Sequence, residues 1–471
     1  MGQRGSWSCP AAACVLWFLL LGSLSAKKNE LPLEDAVELS REYLAARSFA
    51  ERDSLAAQLE SYRGPIEPVI DRLKSRRYKQ VEPGYHPDES FSVPELKEKH
   101  PDDLLFFNVP PRYSPKEPHG LIVFLHGGGA TTGRRAPRVT LGYPPEGVKE
   151  RDSNQLGNVF NAAGLIAVGP SAPWNENSYY RWCLRESDEY IADVIRECQS
   201  RFHIDHDRVI LLGHSMGGFG AYQHAMRQPD RFSTVIVHAG SWSRGFLPAI
   251  RGTPLCIVQG INDAREGSRW HYTDVEYARA TVKLLTAYKL EHTYFEHDGM
   301  HAMCEGKEYV AKYLETAKDM RRDPFCARVT LATPAGFSSY HSSRLRESRW
   351  LSINQVTPGK VPLDELVTNG EDDFHAWRLT HERIEREGSI LDAMNYGNNL
   401  IALNAIHVSR FTVWLHPRMV DINKPVQIHV NQKPVFAGRV APSLVTALDS
   451  YRRRGDWGLI YPIKVELKVP K

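Results

Sequence analysis

The pentapeptide Gly213-His214-Ser215-Met216-Gly217 directly follows the apolar stretch Arg208-Val-Ile-Leu-Leu212 and has the spacing G-x-S-x-G. A serine held on a sharp strand-to-helix turn needs small neighbours two residues to either side, because bulky Cβ substituents there would block the bend. The pattern therefore points to a serine nucleophile. Upstream, Ile191, Val194, Ile195, Cys198 and Phe202 fall at helical spacing, which predicts an amphipathic helix over Ser187 to Phe202. Downstream, Gly218, Gly220 and Ala221 lead into a further helix that Pro229 stops. The resulting order of helix, strand, elbow and helix is the one such a nucleophile requires.

The rest of an acyl-transfer site can be read in chain order. Leu121-Ile-Val-Phe-Leu125 predicts a short strand running into His126-Gly127-Gly128-Gly129, where glycines let backbone N–H groups approach a developing oxyanion. One donor from Gly127, Gly128 or Gly129 together with the Met216 N–H would form the hole. A strand over Thr253 to Gln259 is followed by a loop carrying Asp263, the expected orienting acid. Another, Thr293 to Glu296, leads into His297-Asp298-Gly299-Met300-His301. His301, deeper in that loop and ahead of a helix read over Lys307 to Met320, is the expected base in preference to His297. Asp298 lies too near His301 in sequence to come from a separate loop, so Asp263 is preferred.

These elements resemble the α/β-hydrolase superfamily, in particular secreted esterases, feruloyl-esterase-like enzymes and the catalytic domains of prolyl-oligopeptidase-like enzymes, over about Leu104 to Met320. The resemblance implies an open, mostly parallel sheet with helices on both faces and the site at the strands' carboxyl ends. Apolar runs at Gly164 to Val168 and Thr234 to Val237 read independently as strands covered on both faces, and Asp274 to Tyr288 as a helix with a core-facing stripe. Prolyl oligopeptidases carry a large propeller ahead of the catalytic domain, whereas here only about a hundred residues precede it. Ester hydrolysis is thus expected first, with a serine peptidase of that type as the alternative and a non-catalytic binding protein on the same scaffold as a further one.

The flanking segments suggest four parts. Residues 1–26 carry one early Arg4, an apolar run over Ala11 to Leu21 and small residues before Lys27-Lys28. This predicts a signal peptide, hence a secreted or periplasmic protein with no stable membrane insertion once the leader is removed. Residues 27–102 read as a charged helical lead-in, 103–322 as the catalytic domain and 323–471 as a β-rich domain. In the last, Phe411 to Leu415, Val426 to Val430 and Val465 to Val469 alternate as short strands, predicting a β-sandwich with Trp350, Trp377 and Trp414 as core candidates.

Composition excludes other classes. With 471 residues, 42% of them apolar, the chain has length for two or three units, and a net charge of +3 with interspersed signs offers no field for nucleic acid. No Cys/His spacing suggests a zinc site, no metal or cofactor is expected, and His203 and His206 in Phe202-His-Ile-Asp-His-Asp-Arg208 read as a surface turn. After the leader, Cys183, Cys198, Cys256, Cys304 and Cys326 remain, allowing at most two bridges, with Cys256 read as a buried strand residue. The aromatic loop Pro173 to Trp182 offers Trp174, Tyr179, Tyr180 and Trp182 as substrate-binding candidates beside His214, for a small-molecule or polymer-linked ester.

Overall fold

A computed structural model describes residues 30–128, 137–141, 156–171, 181–184, 186–263, 271–333, 346–369 and 378–470. The leader, Gly129, Trp174, Tyr179, Tyr180 and Trp377 lie outside the described residues. The chain divides into two compact units, one of residues up to Ser75 with Ser443–Leu448 and one of Arg76–Pro442 with Asp449–Lys471. In the first, helices α1 (Leu33–Ala45), α2 (Phe49–Leu59) and α3 (Ile66–Lys74) pack together. Ser48 caps α2, its hydroxyl accepting the Glu51 N–H at 3.1 Å.

The second unit is built on an eight-stranded sheet in the order β1-β2-β4-β3-β5-β6-β8-β9. Its strands are β1 (Gly84–Glu89), β2 (Leu105–Val109), β3 (His119–Leu125), β4 (Ile166–Pro170), β5 (Ile204–His214), β6 (Thr234–His238), β8 (Leu255–Gly260) and β9 (His292–His297). A two-residue β7 (Arg244–Gly245) stands outside it. From β4 to β9 every pairing is parallel, whereas β1 and β2 run antiparallel at one edge. Pro87 inside β1 is compatible with that edge position, where a missing N–H costs little, and it also made the strand illegible.

Alternation along the strands separates two cores. Leu121, Val123, Leu211, Val235 and Ile257 pack toward Ile191 and Val194 of α7 (Glu186–Arg201), Ala221 and Ala225 of α8 (Met216–Arg227) and Tyr277 and Leu285 of α9 (Val275–Ala287). Ile122, Phe124, Ile210, Leu212, Ile236 and Cys256 face the other side, against Val310 and Leu314 of α10 (Met303–Thr316). Helices thus cover both faces, as an apolar parallel sheet requires.

Two sequence readings are corrected. Ile204 to Asp207 are the opening residues of β5 rather than a surface turn, because this strand runs eleven residues, paired with β3 from His119 onward. Helix α10 begins at Met303 and ends at Thr316, not at 307 and 320. Gly306 hid its first turn: it looks like a helix breaker, yet a Cβ there would lie 2.1 Å from His238 Nε2, so close packing dictates the glycine.

Beyond Asp323, five strands in the order β10-β15-β16-β18-β19 face four in the order β11-β12-β17-β20. They span β10 (Arg328–Ala332), β11 (Glu347–Ser348), β12 (Leu351–Val356), β15 (Ile390–Asn395), β16 (Leu400–Ile406), β17 (Val408–Leu415), β18 (Val426–Val430), β19 (Lys433–Gly438) and β20 (Ile463–Lys468). Leu391, Leu403 and Ile428 from one sheet share a core with Ile353, Phe411 and Val465 from the other, a sandwich in which Trp350 and Trp414 are buried. The remaining hairpin, β13 (Lys360–Asn369) and β14 (Arg378–Glu387), pairs with β7 of the sheet domain, and the Leu366 N–H donates to the Ser243 carbonyl. Cys183, Cys198, Cys256, Cys304 and Cys326 are all free thiols, and Cys256 is fully buried within β8.

Candidate active site

Parallel register brings the chemistry to one edge. Leu125 of β3 pairs with Gly213 of β5, His214 with His238 of β6, and Gly260 of β8 with His297 of β9, so the loops after these strands open on a common side. Ser215 sits at the β5–α8 turn with φ 55° and ψ −117°, a region that costs an L-residue of order 1–3 kcal/mol. The glycines are compulsory there. A Cβ on Gly213 would lie 2.0 Å from the Gly217 carbonyl oxygen, and one on Gly217 would lie 2.0 Å from that of Leu125.

Ser215 Oγ is 2.8 Å from His301 Nε2, and His301 Nδ1 is 2.7 Å from an Asp263 carboxylate oxygen. A carboxylate only accepts, so Nδ1 carries the proton and Nε2 is left to accept from the serine hydroxyl. The Asp263 side chain is 3% exposed and the His301 side chain 41%. The same Asp263 oxygen accepts from Gln259 Nε2 at 3.1 Å, and its other oxygen accepts from the Thr273 hydroxyl at 2.9 Å. His297 is buried, its Nδ1 accepting the Gly299 N–H at 3.2 Å, and it is His301 that meets the serine. Asp298 contributes its backbone carbonyl to Asn262 Nδ2 at 2.6 Å.

Residues 103–275 match the Esterase family model. Rat (Rattus norvegicus) S-formylglutathione hydrolase is 27% identical over 96 residues, which is 20% of this chain and 32% of the relative, so the chain spans about a third of that protein's length. Similar solved structures include a ferulic acid esterase, 12% identical over 51% of this chain and 99% of its own with a TM-score of 0.38. They also include the S-formylglutathione hydrolase FrmB of Staphylococcus aureus, 15% identical over 51% of this chain and 100% of its own with a TM-score of 0.36. The chain contains an α/β-hydrolase domain resembling the esterases.

In this hydrolase domain Met216 is the first residue of α8, so its N–H has no carbonyl partner within the helix. Gly127 approaches from β3: a Cβ on it would lie 3.4 Å from Ser215 Cβ and 3.2 Å from His214 Cδ2. The His126 imidazole is buried and donates from Nδ1 to the Gly127 carbonyl at 2.8 Å. Gly128 is partly exposed at the mouth of this loop.

Of the substrate-binding candidates, Trp182 is corrected, and His214 lies beside His301. Trp182 is fully buried, in a 3-10 turn (Arg181–Cys183), and its indole N–H donates to the His126 carbonyl at 3.0 Å, so it cannot stack on a ligand. His214 is half-buried, with its ring centroid 5.1 Å from that of His301. Sequence reasoning missed His238, whose Nδ1 lies 2.9 Å from His214 Nδ1 and whose carbonyl accepts the Ser215 N–H at 3.0 Å. Burial holds His214 well below its usual pKa, and the neighbouring His238 and His301 reinforce this. Burial likewise lowers His238 to about 3, with His297 and His301 adding to it. Both shifts favour the neutral imidazole. Among the described residues no cluster of His, Cys, Asp or Glu could hold a metal ion.

Proposed function

We propose that the protein is a secreted serine hydrolase that cleaves carboxylic esters through an acyl-enzyme, with Ser215 as nucleophile, His301 as base and Asp263 as the orienting acid. The continuous line from Ser215 Oγ through His301 to a buried, three-donor Asp263 carries this reading. As Oγ attacks the acyl carbon, Nε2 of His301 takes its proton. The Met216 N–H and one from the Gly127 to Gly129 loop receive the charge on the carbonyl oxygen. The C–O bond to the alcohol then breaks, His301 returns the proton to that oxygen, and a water molecule repeats the sequence to release the acid. His214, beside the nucleophile and neutral, belongs to the acyl or alcohol subsite, and aryl or polysaccharide-linked esters are the proposed substrates.

The test is a panel of p-nitrophenyl acetate through octanoate, methyl ferulate, acetylated xylan and Ala-Pro anilide, hydrolysed by the unsubstituted protein and by Ser215→Ala. Ester turnover that the substitution abolishes is expected. Turnover confined to the anilide assigns a peptidase instead, and equal activity of the two proteins removes the serine mechanism. Amino-terminal sequencing of the exported protein is expected to begin at Lys27; an intact Met1 would overturn export by cleavage.

A further inference from the structure

We infer that Trp182, which has no exposed surface, is a positioning residue that aims the Gly127 N–H into the oxyanion site. The inference rests on the esterase reading above and adds to it a residue from outside the reacting groups. The His126 carbonyl and the Gly127 N–H belong to one peptide unit, and no described peptide bond is cis, so the two point in opposite directions. Whatever holds the carbonyl fixes the direction of the N–H. The Trp182 indole N–H holds it, at 3.0 Å, with the rings of Trp182 and His126 edge to face at 5.2 Å between centroids.

The indole is itself immobilised from the nucleophile's own helix. A Cβ on Gly220 of α8 would lie 2.3 Å from Trp182 Cβ, so the tryptophan lies directly against the backbone of the helix that Ser215 precedes. The Ser187 hydroxyl donates to the Trp182 carbonyl at 2.9 Å. Arg227, at the far end of α8, donates to both oxygens of Asp188 at 2.8 Å and to the Cys183 carbonyl at 3.2 Å. Arg227 is 2% exposed and Asp188 1%, and a buried, geometrically satisfied pair of this kind specifies one arrangement of its neighbours. Through these bonds α8 carries the nucleophile at one end and sets the opposing oxyanion donor at a fixed distance from it. Trp182 does not touch substrate, so its effect falls on the transition state, where the donor's direction matters, and not on ground-state binding.

Trp182→Phe keeps an aromatic ring at the position and removes the N–H together with part of the indole, so folding is read beside activity. It is compared with the unsubstituted protein in kcat and KM for p-nitrophenyl acetate, in Ki for phenylboronic acid, whose tetrahedral adduct on Oγ mimics the oxyanion, and in melting temperature. A misdirected donor costs less than a deleted one, for which losses are about a hundred- to a thousandfold. The expected result is a fall in kcat of about ten- to a hundredfold, a Ki raised by the same factor and a KM within about threefold of its starting value. Gly220→Ala, whose added methyl would meet Trp182 at its Cβ and backbone, is expected to move kcat and Ki together as well. Unchanged kcat and Ki in Trp182→Phe overturn the inference, as does a loss of activity matched by the loss of folded protein. If the unsubstituted protein neither hydrolyses the ester nor binds the boronic acid, the esterase reading falls and the inference with it; if it does both, only the inference is at stake.

Discussion

Asp263→Asn removes one negative charge beside His301 and leaves nearly every atom in place. Which way the new amide lies follows from its neighbours. The oxygen nearest His301 also accepts from Gln259 Nε2, whereas the other meets, among the described residues, the Thr273 hydroxyl, which can rotate to accept in its turn. The asparagine therefore keeps its oxygen toward His301 and Gln259 and places its NH2 against Thr273, so that the Nδ1–H tautomer survives. What is lost is the attraction between carboxylate and imidazolium in the transition state. With Nδ1 and Oδ2 2.7 Å apart, the charge centres lie near 4 Å. At an effective dielectric constant of about 20 that attraction is worth about 4 kcal/mol, or about a thousandfold in rate. Because the His301 side chain is 41% exposed, water screens part of it, and the expected fall in kcat is about a hundred- to a thousandfold. The assay is steady-state hydrolysis of p-nitrophenyl acetate, with the melting temperature as a control for folding. A fall of less than about tenfold would refute an electrostatic role for Asp263, and a fall beyond about ten-thousandfold would refute the retained tautomer.

Acid stability provides a second check. With His238 lowered to about 3 by burial, His297 and His301, folded protein binds fewer protons than unfolded protein, whose histidine titrates near 6.5. Its contribution is complete above pH 6.5 and is lost as pH falls from there to about 3, by at most about 5 kcal/mol, so His238→Asn is expected to flatten the fall of melting temperature over that window. The junction between hydrolase domain and sandwich offers a third. Arg322 donates to both oxygens of Asp456 at 2.7 and 2.6 Å and to Asp207 at 2.8 Å, and Arg231 donates to Asp456 at 3.3 Å. Asp456→Ala strands these buried guanidinium groups and is expected to destabilise by about 3–5 kcal/mol in guanidinium titrations, with kcat of the remaining folded protein unchanged.

The sharp turn at Ser215 and the meeting of Ser215, His301 and Asp263 were legible because geometry there dictates residue type. No side chain fits at Gly213 or Gly217, so the motif follows from contact distances that hold in the folded chain. The open parallel sheet was legible for a related reason: strands buried on both faces have to be apolar throughout. The β13–β14 hairpin was not. Most of β14, Arg378–Glu387, is exposed on both faces, so alternation between core and solvent never enters its composition, and its pairing is fixed by backbone bonds to β13. Trp182 was misread because composition shows an aromatic near the site without showing which way it points, and its indole turns inward to a carbonyl.

The residues that support the site follow a rule written in the pattern of residue types along the strands. His214, His238 and Gln259 each stand at or next to the carboxyl end of a parallel strand whose adjoining residues are mostly apolar, and His297 is the buried end of the more mixed strand β9. A polar side chain in such a place loses its water, and without a partner it costs roughly 1–3 kcal/mol. Register then places these residues beside one another, His214 opposite His238 and Gly260 opposite His297, and the partners they find are the site itself. Gln259 holds the Asp263 carboxylate, His238 meets His214, and the His238 carbonyl fixes the Ser215 N–H. An isolated polar residue ending an apolar strand thus marks the carboxyl edge of the sheet as the working edge, independently of the glycine and serine motif. Here the two signals converge on Ser215, and this agreement between backbone geometry and buried polarity locates the chemistry more firmly than either does alone.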